Sequence, residues 1–327
     1  MTIQPPGRQA LSPQVARWCE EHLGSPAEEV LLHAHHLTEA VGVRLTDGRT
    51  AMVKIRGASP RIAGCAVVQG LLHERGVPCP ALLAGPAPLS AEAGSPLVTA
   101  EEWLPGGEIW LGENAPARYA ELFAQLVLAA PAVEEVPALE PPVPWLHYDH
   151  GYSGRIWPPP ASDRWDPHRI ESALPPQVVQ VAVRARRRLL APDARGLPRI
   201  VAHGDYEAQN TRWFADDGAP DGLRPVVFDW DSVVALPEAV VLGNAAAGFV
   251  SPDQPDLATL AQTDQFLEAY RRARGRQLSA VELQVVAAAG LWVAAYNAAF
   301  EHLKGGPGPV TRQLALQAEE RLARAGA

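Results

Sequence analysis

Two short polar motifs constrain this chain more than anything else in it. They are His203-Gly204-Asp205-Tyr206-Glu207-Ala208-Gln209-Asn210 and Phe228-Asp229-Trp230-Asp231. Arg199-Ile200-Val201-Ala202, just ahead of the first, reads as a short strand that delivers Asp205 to a loop. Thr211 to Phe214 and Pro225 to Phe228 are β-prone runs, separated by the turn-rich Ala215-Asp216-Asp217-Gly218. A hairpin there returns Asp229 close to where Asn210 began. The expected fold is therefore one in which a strand end, a loop and a hairpin gather two carboxylates and a carboxamide.

Such oxygens are hard donors, which magnesium prefers, and magnesium commonly takes only one or two carboxylates. Phosphoryl transfer from a nucleotide needs donors of this kind, together with a carboxylate that orients the attacking hydroxyl. Asp205 fits the orienting role, and Asn210 and Asp229 fit the metal role. Either motif alone is equally an ordinary strand-to-loop junction or a solvated turn; their order and the hairpin between them favour the chemistry. The residues resemble the aminoglycoside phosphotransferase and choline kinase family, a branch of the protein-kinase-like fold. The match is His-Gly-Asp-x-x-x-x-Asn at 203–210 and Asp-Trp-Asp at 229–231. The resemblance implies that Asp205 is the catalytic base or hydroxyl-orienting group, that Asn210 and Asp229 bind magnesium, and that His203 braces the loop. Asp231 either assists the metal, contacts the acceptor, or braces the loop.

Composition narrows the partners. The 327 residues are 47% hydrophobic and 20% charged, which is a globular rather than a disordered balance. A formal net charge of -9 argues against general nucleic-acid binding and is compatible with a cationic small molecule. Cys19, Cys65 and Cys79 have no zinc-like spacing and no disulfide framework, which suits a reducing cytoplasm, and no signal peptide is expected. The uncharged run between Glu282 and Glu301 approaches the length of about 20 residues that spans a bilayer. Gln284, Gly290, Tyr296 and Asn297 interrupt it, so a buried core helix and no membrane span are expected.

Nearer the start, Ser12-Pro13 opens a helix to about Leu23, with Ser as its cap. Strands are expected at Glu29 to Leu32 and Ala40 to Leu45, and Asp47-Gly48 turns into a strand from Thr50 to Ile55. Lys54 lies in that strand; the resemblance implies that it holds nucleotide phosphates. Two departures from the family follow. The turn His33-Ala34-His35-His36-Leu37-Thr38 has no glycine where phosphate-gripping amides are usual. Its histidines either cover phosphate or face solvent, and they lack the further ligands a metal would need. In the next helix, Ser59-Pro60 to about Arg75, the glutamate that commonly pairs with the strand lysine is replaced by Cys65, with Gln69 one turn later. Either Gln69 orients Lys54 by a neutral hydrogen bond, or Lys54 has no fixed partner. Leu97 to Gly106 looks like the hinge, where the backbone of Glu101, Glu102 and Trp103 would meet the adenine edge.

A helix from Asn114 through Ala130 precedes a proline-rich stretch, 131–167, in which Trp145, Tyr148, Tyr152, Trp157 and Trp165 crowd with Asp149, His150, Asp163 and Asp166. It reads equally as a substrate-side excursion and as a packing strap. Helices follow at Gln177 to Leu190, Glu238 to Ala247, Leu257 to Arg274, Ser279 to Leu303 and Thr311 to Ala325. Asp149, Glu268, Asn297 and Glu301 are the acceptor-side candidates, with plain surface charge as the default for the acids. The expectation is a bilobal, kinase-like α+β fold: an N-lobe over 1–100, a hinge at 101–107 and a helical C-lobe over 108–327. It would be a magnesium-dependent kinase moving the γ-phosphoryl of ATP, or GTP, to a hydroxyl of an aminoglycoside-like antibiotic or amino sugar. A choline-like or amino-acid alcohol is an alternative acceptor. A pseudokinase without transfer is the competing class, and a metal hydrolase built on His33, His35, His36 and His203 a weaker one. Nothing in the sequence bears on oligomeric state.

Overall fold

The structure, a computed structural model, describes residues 2–4, 12–35, 38–160, 166–219 and 222–327. His36, Leu37, Asp163 and Trp165, singled out above, lie outside them. The chain opens with β1 (Thr2–Gln4), α1 (Pro13–Leu23), β2 (Ala27–His35), β3 (Glu39–Leu45), β4 (Thr50–Arg56), α2 (Arg61–Glu74), β5 (Leu82–Pro88) and β6 (Leu97–Glu102). It continues through α3 (Ala115–Ala129), α4 (Pro176–Leu189), α5 (Pro192–Arg195), β7 (Arg199–His203), β8 (Thr211–Ala215), β9 (Leu223–Val227) and β10 (Val233–Pro237). Four helices close it: α6 (Glu238–Gly248), α7 (Leu260–Arg274), α8 (Ala280–Leu303) and α9 (Pro309–Ala325). Two compact units result. The first comprises 1–107, 134–140 and 214–231; the second comprises 108–133, 141–213 and 232–327.

The first unit is an antiparallel sheet in the order β1-β2-β3-β4-β6-β5. Side chains alternate across a strand, so residue parity decides which face each one joins. Val41, Val43 and Leu45, Ala51 and Val53, and Val98 and Ala100 form one face and bury it with Val15, Trp18 and Cys19 of α1. Gly42, Met52, Lys54, Arg56, Thr99 and Glu101 are left on the other, since Gly42 pairs with Met52, Met52 with Glu101, and Lys54 with Thr99. Gly42 is a requirement of packing there: a Cβ would stand 2.5 Å from Cζ3 of Trp103, whose indole lies across it.

Sequence reasoning missed three strands. Of these, β5 carries Pro86 and Pro88, which discourage a strand assignment, but it sits at the sheet edge where proline is tolerated. The Val233–Pro237 run is β10 and pairs antiparallel with β7, Val233 opposite His203. The third, β1, pairs with the far edge of β2. Ser12 stands before α1 as expected but makes no side-chain cap. Helix α7 starts three residues later than the apolar pattern implied, because Thr259 and Gln262 close a reciprocal capping box; Ser279 and Glu282 do the same for α8.

The second unit is built around α8, which packs against α4, α6 and α9. Among the described residues it is the one helix long and apolar enough to cross a bilayer, yet 72% of that window is buried inside the protein. It is a core helix. The proline-rich stretch wraps it: Trp157 is fully buried, with its ring 5.4 Å from Trp292 and 5.8 Å from Tyr296, and the Trp292 indole donates to the Trp145 carbonyl at 2.9 Å. For these tryptophans the packing role is the observed one. Replacing Trp157 by Ala should therefore cost about 3–5 kcal/mol in denaturant unfolding. Trp157→Phe should cost far less, since the buried indole N–H has no hydrogen-bond partner to lose; equal losses would disprove the packing account.

Candidate active site

The Lys54 ammonium is buried, with 9% of its side chain exposed, and lies 2.9 Å from Oε1 of Glu101 and 3.4 Å from Oδ1 of Asp229. Strand pairing explains the first contact. Lys54 faces Thr99, and Glu101 is two residues further along β6, on the same face and one diagonal away, within reach of two long side chains. Burial alone would lower the lysine pKa, but Glu101 and then Asp229 outweigh it and hold the ammonium above its ordinary range. Lys54 thus has a carboxylate, and α2 does not provide it. Gln69 does not touch Lys54 either: its Nε2 donates to Oε2 of Glu101 at 3.1 Å and to the Pro80 carbonyl at 3.0 Å. Both readings offered for Lys54 from sequence are corrected by this. The missed signal was an acid inside the apolar run Leu97-Val98-Thr99-Ala100-Glu101, since a buried charge needs a partner.

Asp229 sits just after β9 with φ at +63°, the left-handed region that only glycine, and more rarely Asp or Asn, occupies readily. Its neighbours fix it: the Trp230 indole donates to the Val227 carbonyl at 2.9 Å, and the Val227 amide donates to the Pro78 carbonyl at 2.8 Å. Asp229 keeps 40% of its side-chain surface exposed. Burial of its surroundings and the carboxylate of Asp231 push its pKa up, against Lys54 and Arg56. Asp231 is bound on every side. Oδ2 accepts from Arg56 Nε at 2.6 Å and from the Thr38 hydroxyl at 3.2 Å. Its carbonyl accepts from Arg61 at 2.6 Å and from the Cys65 thiol at 3.4 Å. Burial would raise this carboxyl, but Arg56 and Lys54 prevail and hold it below the usual range. Of the roles weighed for Asp231, loop bracing is the one its hydrogen bonds describe.

In the second unit, the pairing of β7 with β10 ends at His203, and the loop begins. His203, only 1% exposed, accepts the Asp205 amide on Nδ1 at 3.2 Å. The Gly204 carbonyl receives the Trp145 indole at 2.8 Å and Asn244 Nδ2 at 3.0 Å, while the Gly204 amide donates to Ser232 at 3.0 Å. A side chain at 204 would run into that Ser232 carbonyl. So braced, Asp205 meets Asn210, whose Nδ2 donates to the Asp205 carboxylate at 2.9 Å and to its carbonyl at 2.8 Å. That leaves Oδ1 of Asn210 as a lone-pair donor for a cation. A carboxamide oxygen is a hard donor of the kind a divalent ion takes.

The other residues singled out from sequence are placed as follows. The Glu102 amide donates to the Ala81 carbonyl at 2.8 Å. Asp149 pairs with Arg195 at 3.0 Å and Glu268 with Arg271 at 2.7 Å, both largely exposed. The carboxylate of Glu301 accepts the amides of Gly308, Val310 and Thr311 at the start of α9. Asn297 lies on α8. His33 contacts Glu39 at 3.0 Å, and among the described residues no three potential ligands gather as a metal cluster would require.

Comparison with known proteins gives a consistent picture. The family described as "Phosphotransferase enzyme family" matches residues 39–276. No curated protein sequence matches. Among solved structures, an aminoglycoside phosphotransferase from Alicyclobacillus acidocaldarius is 14% identical with a TM-score of 0.53, covering 98% of this chain and 97% of that one. A spectinomycin phosphotransferase, solved with ADP and spectinomycin, is 11% identical with a TM-score of 0.53, covering 98% and 94%. The amicoumacin kinase hAmiN, solved with AMP-PNP, Ca2+ and Ami, is 13% identical with a TM-score of 0.56, covering 89% and 86%. The α+β fold is thus the kinase-like one, with a small antiparallel-sheet unit and a larger helical unit.

Glu207 was passed over in the sequence and is buried beside Asp205, with its Oε2 accepting from Gln209 at 2.6 Å. Burial, then the Asp205 carboxylate, push its pKa well above the ordinary glutamate value. Folding therefore favours the neutral carboxyl. Its contribution to stability is whole below the unfolded value of about 4.3 and is lost as pH rises through the raised folded value. Glu207→Gln, neutral at every pH, should gain in Tm over the unaltered protein as pH rises from 4.5 to 8, values that start just above that unfolded pKa of about 4.3. A difference independent of pH would show that Glu207 is ionised in the fold.

Proposed function

The chain belongs to the phosphotransferase enzyme family, and from that premise we propose that it is a small-molecule kinase transferring the γ-phosphoryl of ATP, or GTP, to a hydroxyl. The acceptor proposed is an aminoglycoside-like antibiotic or amino sugar. The observation that carries the reading is the Asp205–Asn210 pair: a carboxylate held by a carboxamide whose oxygen is left for a cation, on a loop anchored at both ends.

In this reading Asp205 aligns the acceptor hydroxyl and takes its proton as the oxygen attacks the γ-phosphorus and the bond to the β-phosphate oxygen breaks. Lys54 has three N–H donors; with one directed to Glu101 and one toward Asp229, a third serves a phosphate oxygen. Asn210 Oδ1 and the Asp229 carboxylate would hold magnesium, which when bound neutralises phosphate charge. Of the hinge residues Glu101, Glu102 and Trp103, it is Trp103, just past the end of β6, whose backbone would meet the base. Glu101 is paired on both sides, and the Glu102 amide is held by the Ala81 carbonyl. Asp149, Glu268, Asn297 and Glu301 have no stronger claim on the acceptor than their engagement described above allows.

The net charge of -9 favours a cationic acceptor, and antibiotics are the substrates named for two of the structural neighbours. The competing pseudokinase reading draws on the turn without glycine and on the missing helix glutamate; the Glu101 carboxylate 2.9 Å from Lys54 speaks to the second of these. Three buried, free cysteines accord with a cytoplasmic location. Asp205→Asn should lower kcat by roughly 10²–10⁴-fold, the usual worth of a general base, in a phosphate-transfer assay over a panel of amino sugars, aminoglycosides and amino alcohols. Calorimetry should show magnesium-ATP binding retained. Turnover close to that of the unaltered protein would remove Asp205 from the reaction.

A further inference from the structure

A strand lysine that grips phosphate must be held in one orientation, and its holder is ordinarily sought on the neighbouring helix. Here α2 has Cys65 and Gln69 where that carboxylate would be looked for, and neither reaches Lys54. Cys65 instead donates to the Asp231 carbonyl. Gln69 spends both N–H groups elsewhere, one on Glu101 and one on Pro80.

The two carboxylates that do reach Lys54 differ in kind. Glu101 is closer, at 2.9 Å, and 4% exposed, so it is shut off from any ion arriving by way of solvent. Asp229 is further, at 3.4 Å, and 40% exposed, so it is the weaker and more solvated of the two contacts. Both oxygens of Glu101 are already used, one by Lys54 and the other by Gln69. Its backbone is fixed as well, paired with Met52 on one side and Leu82 on the other.

We propose that Glu101 is the positioning residue for Lys54, steadied by Gln69, so that the lysine is oriented by the β4–β6 ladder and not by a carboxylate on α2. Lys54 and Glu101 lie on adjacent strands of one sheet, and a shift of α2 leaves their separation unchanged. Gln69 supplies only the outer contact. The Lys54 ammonium therefore stands ready for phosphate before any nucleotide arrives. This rests on the kinase reading for the identity of the phosphate ligand.

The test is calorimetric binding of magnesium-ATP and of adenosine to the full chain and to Glu101→Gln and Gln69→Met. Loss of one charged hydrogen bond to Lys54 should weaken magnesium-ATP binding by roughly 10- to 100-fold in Glu101→Gln. Gln69→Met should show a smaller loss in the same direction. Adenosine, which has no phosphate, should bind all three proteins alike, whereas damage to the fold would weaken both ligands together. Unchanged magnesium-ATP affinity in Glu101→Gln, or parallel loss of adenosine, overturns the assignment. If Glu101→Gln fails to fold, the ratio of the two affinities in Gln69→Met decides by the same criterion. Failure of the unaltered chain to bind magnesium-ATP at all would count against the kinase reading itself, and is seen before any variant is made.

Discussion

An ammonium group that is nine-tenths buried stays charged only if a carboxylate is buried with it, and the first unit is arranged around that requirement at Lys54. Meeting it places an acid on β6, an amide donor on α2 to satisfy the acid's second oxygen, and a second acid after β9. A further cation, Arg56, lies two residues along β4 on the same face and is matched in turn by Asp231. The result is a chain of charges, Glu101, Lys54, Asp229, Asp231 and Arg56, in which each ion has an opposite neighbour even though the two aspartates stand side by side. Removing one partner of such a set leaves another buried and unpaired, which is costlier than the pair was worth.

The second unit solves a different problem, how to hold a polar loop still. It uses aromatic mass and backbone carbonyls. Tyr119, Phe123, Tyr206, Phe249 and Phe266 pack ring against ring beneath the loop, and the Tyr206 hydroxyl donates to the Tyr119 carbonyl at 2.8 Å. The proline-rich stretch joins the same scaffold through Trp145, which donates to Gly204 and accepts from Trp292 on α8. One tryptophan thus ties the carbonyl just before Asp205 to the longest helix of the chain. Position at the loop is set by groups too large and too well packed to move independently.

Much of this was legible in the sequence, and what was not has identifiable causes. The helices, the Lys54 strand and the two polar motifs follow from local periodicity and turn chemistry, which act over a few residues. The pairing of Lys54 with Glu101 depends on which residue of β6 faces which residue of β4. Register is a long-range property, and a one-residue slip would have turned Glu101 to the opposite face. The same holds for β10, whose apolar run was visible but whose partner, β7, lies some thirty residues earlier. Strand β5 was hidden by its own prolines. Asp231 was ambiguous for another reason: an acid beside a metal motif and an acid that pins a loop have the same letter. In the fold four groups converge on it, from Thr38, Arg56, Arg61 and Cys65, none of them visible from its neighbours in sequence.

The indole of Trp103 lying across Gly42 couples two distant stretches of chain. Strand β3 can carry no side chain at that point unless position 103 becomes smaller, and a smaller residue at 103 would expose the bare backbone of position 42 together with Met52 beside it. The two sites should therefore drift in tandem across descendants of this sequence. Any attempt to recontour this side of the sheet must rewrite both letters at once.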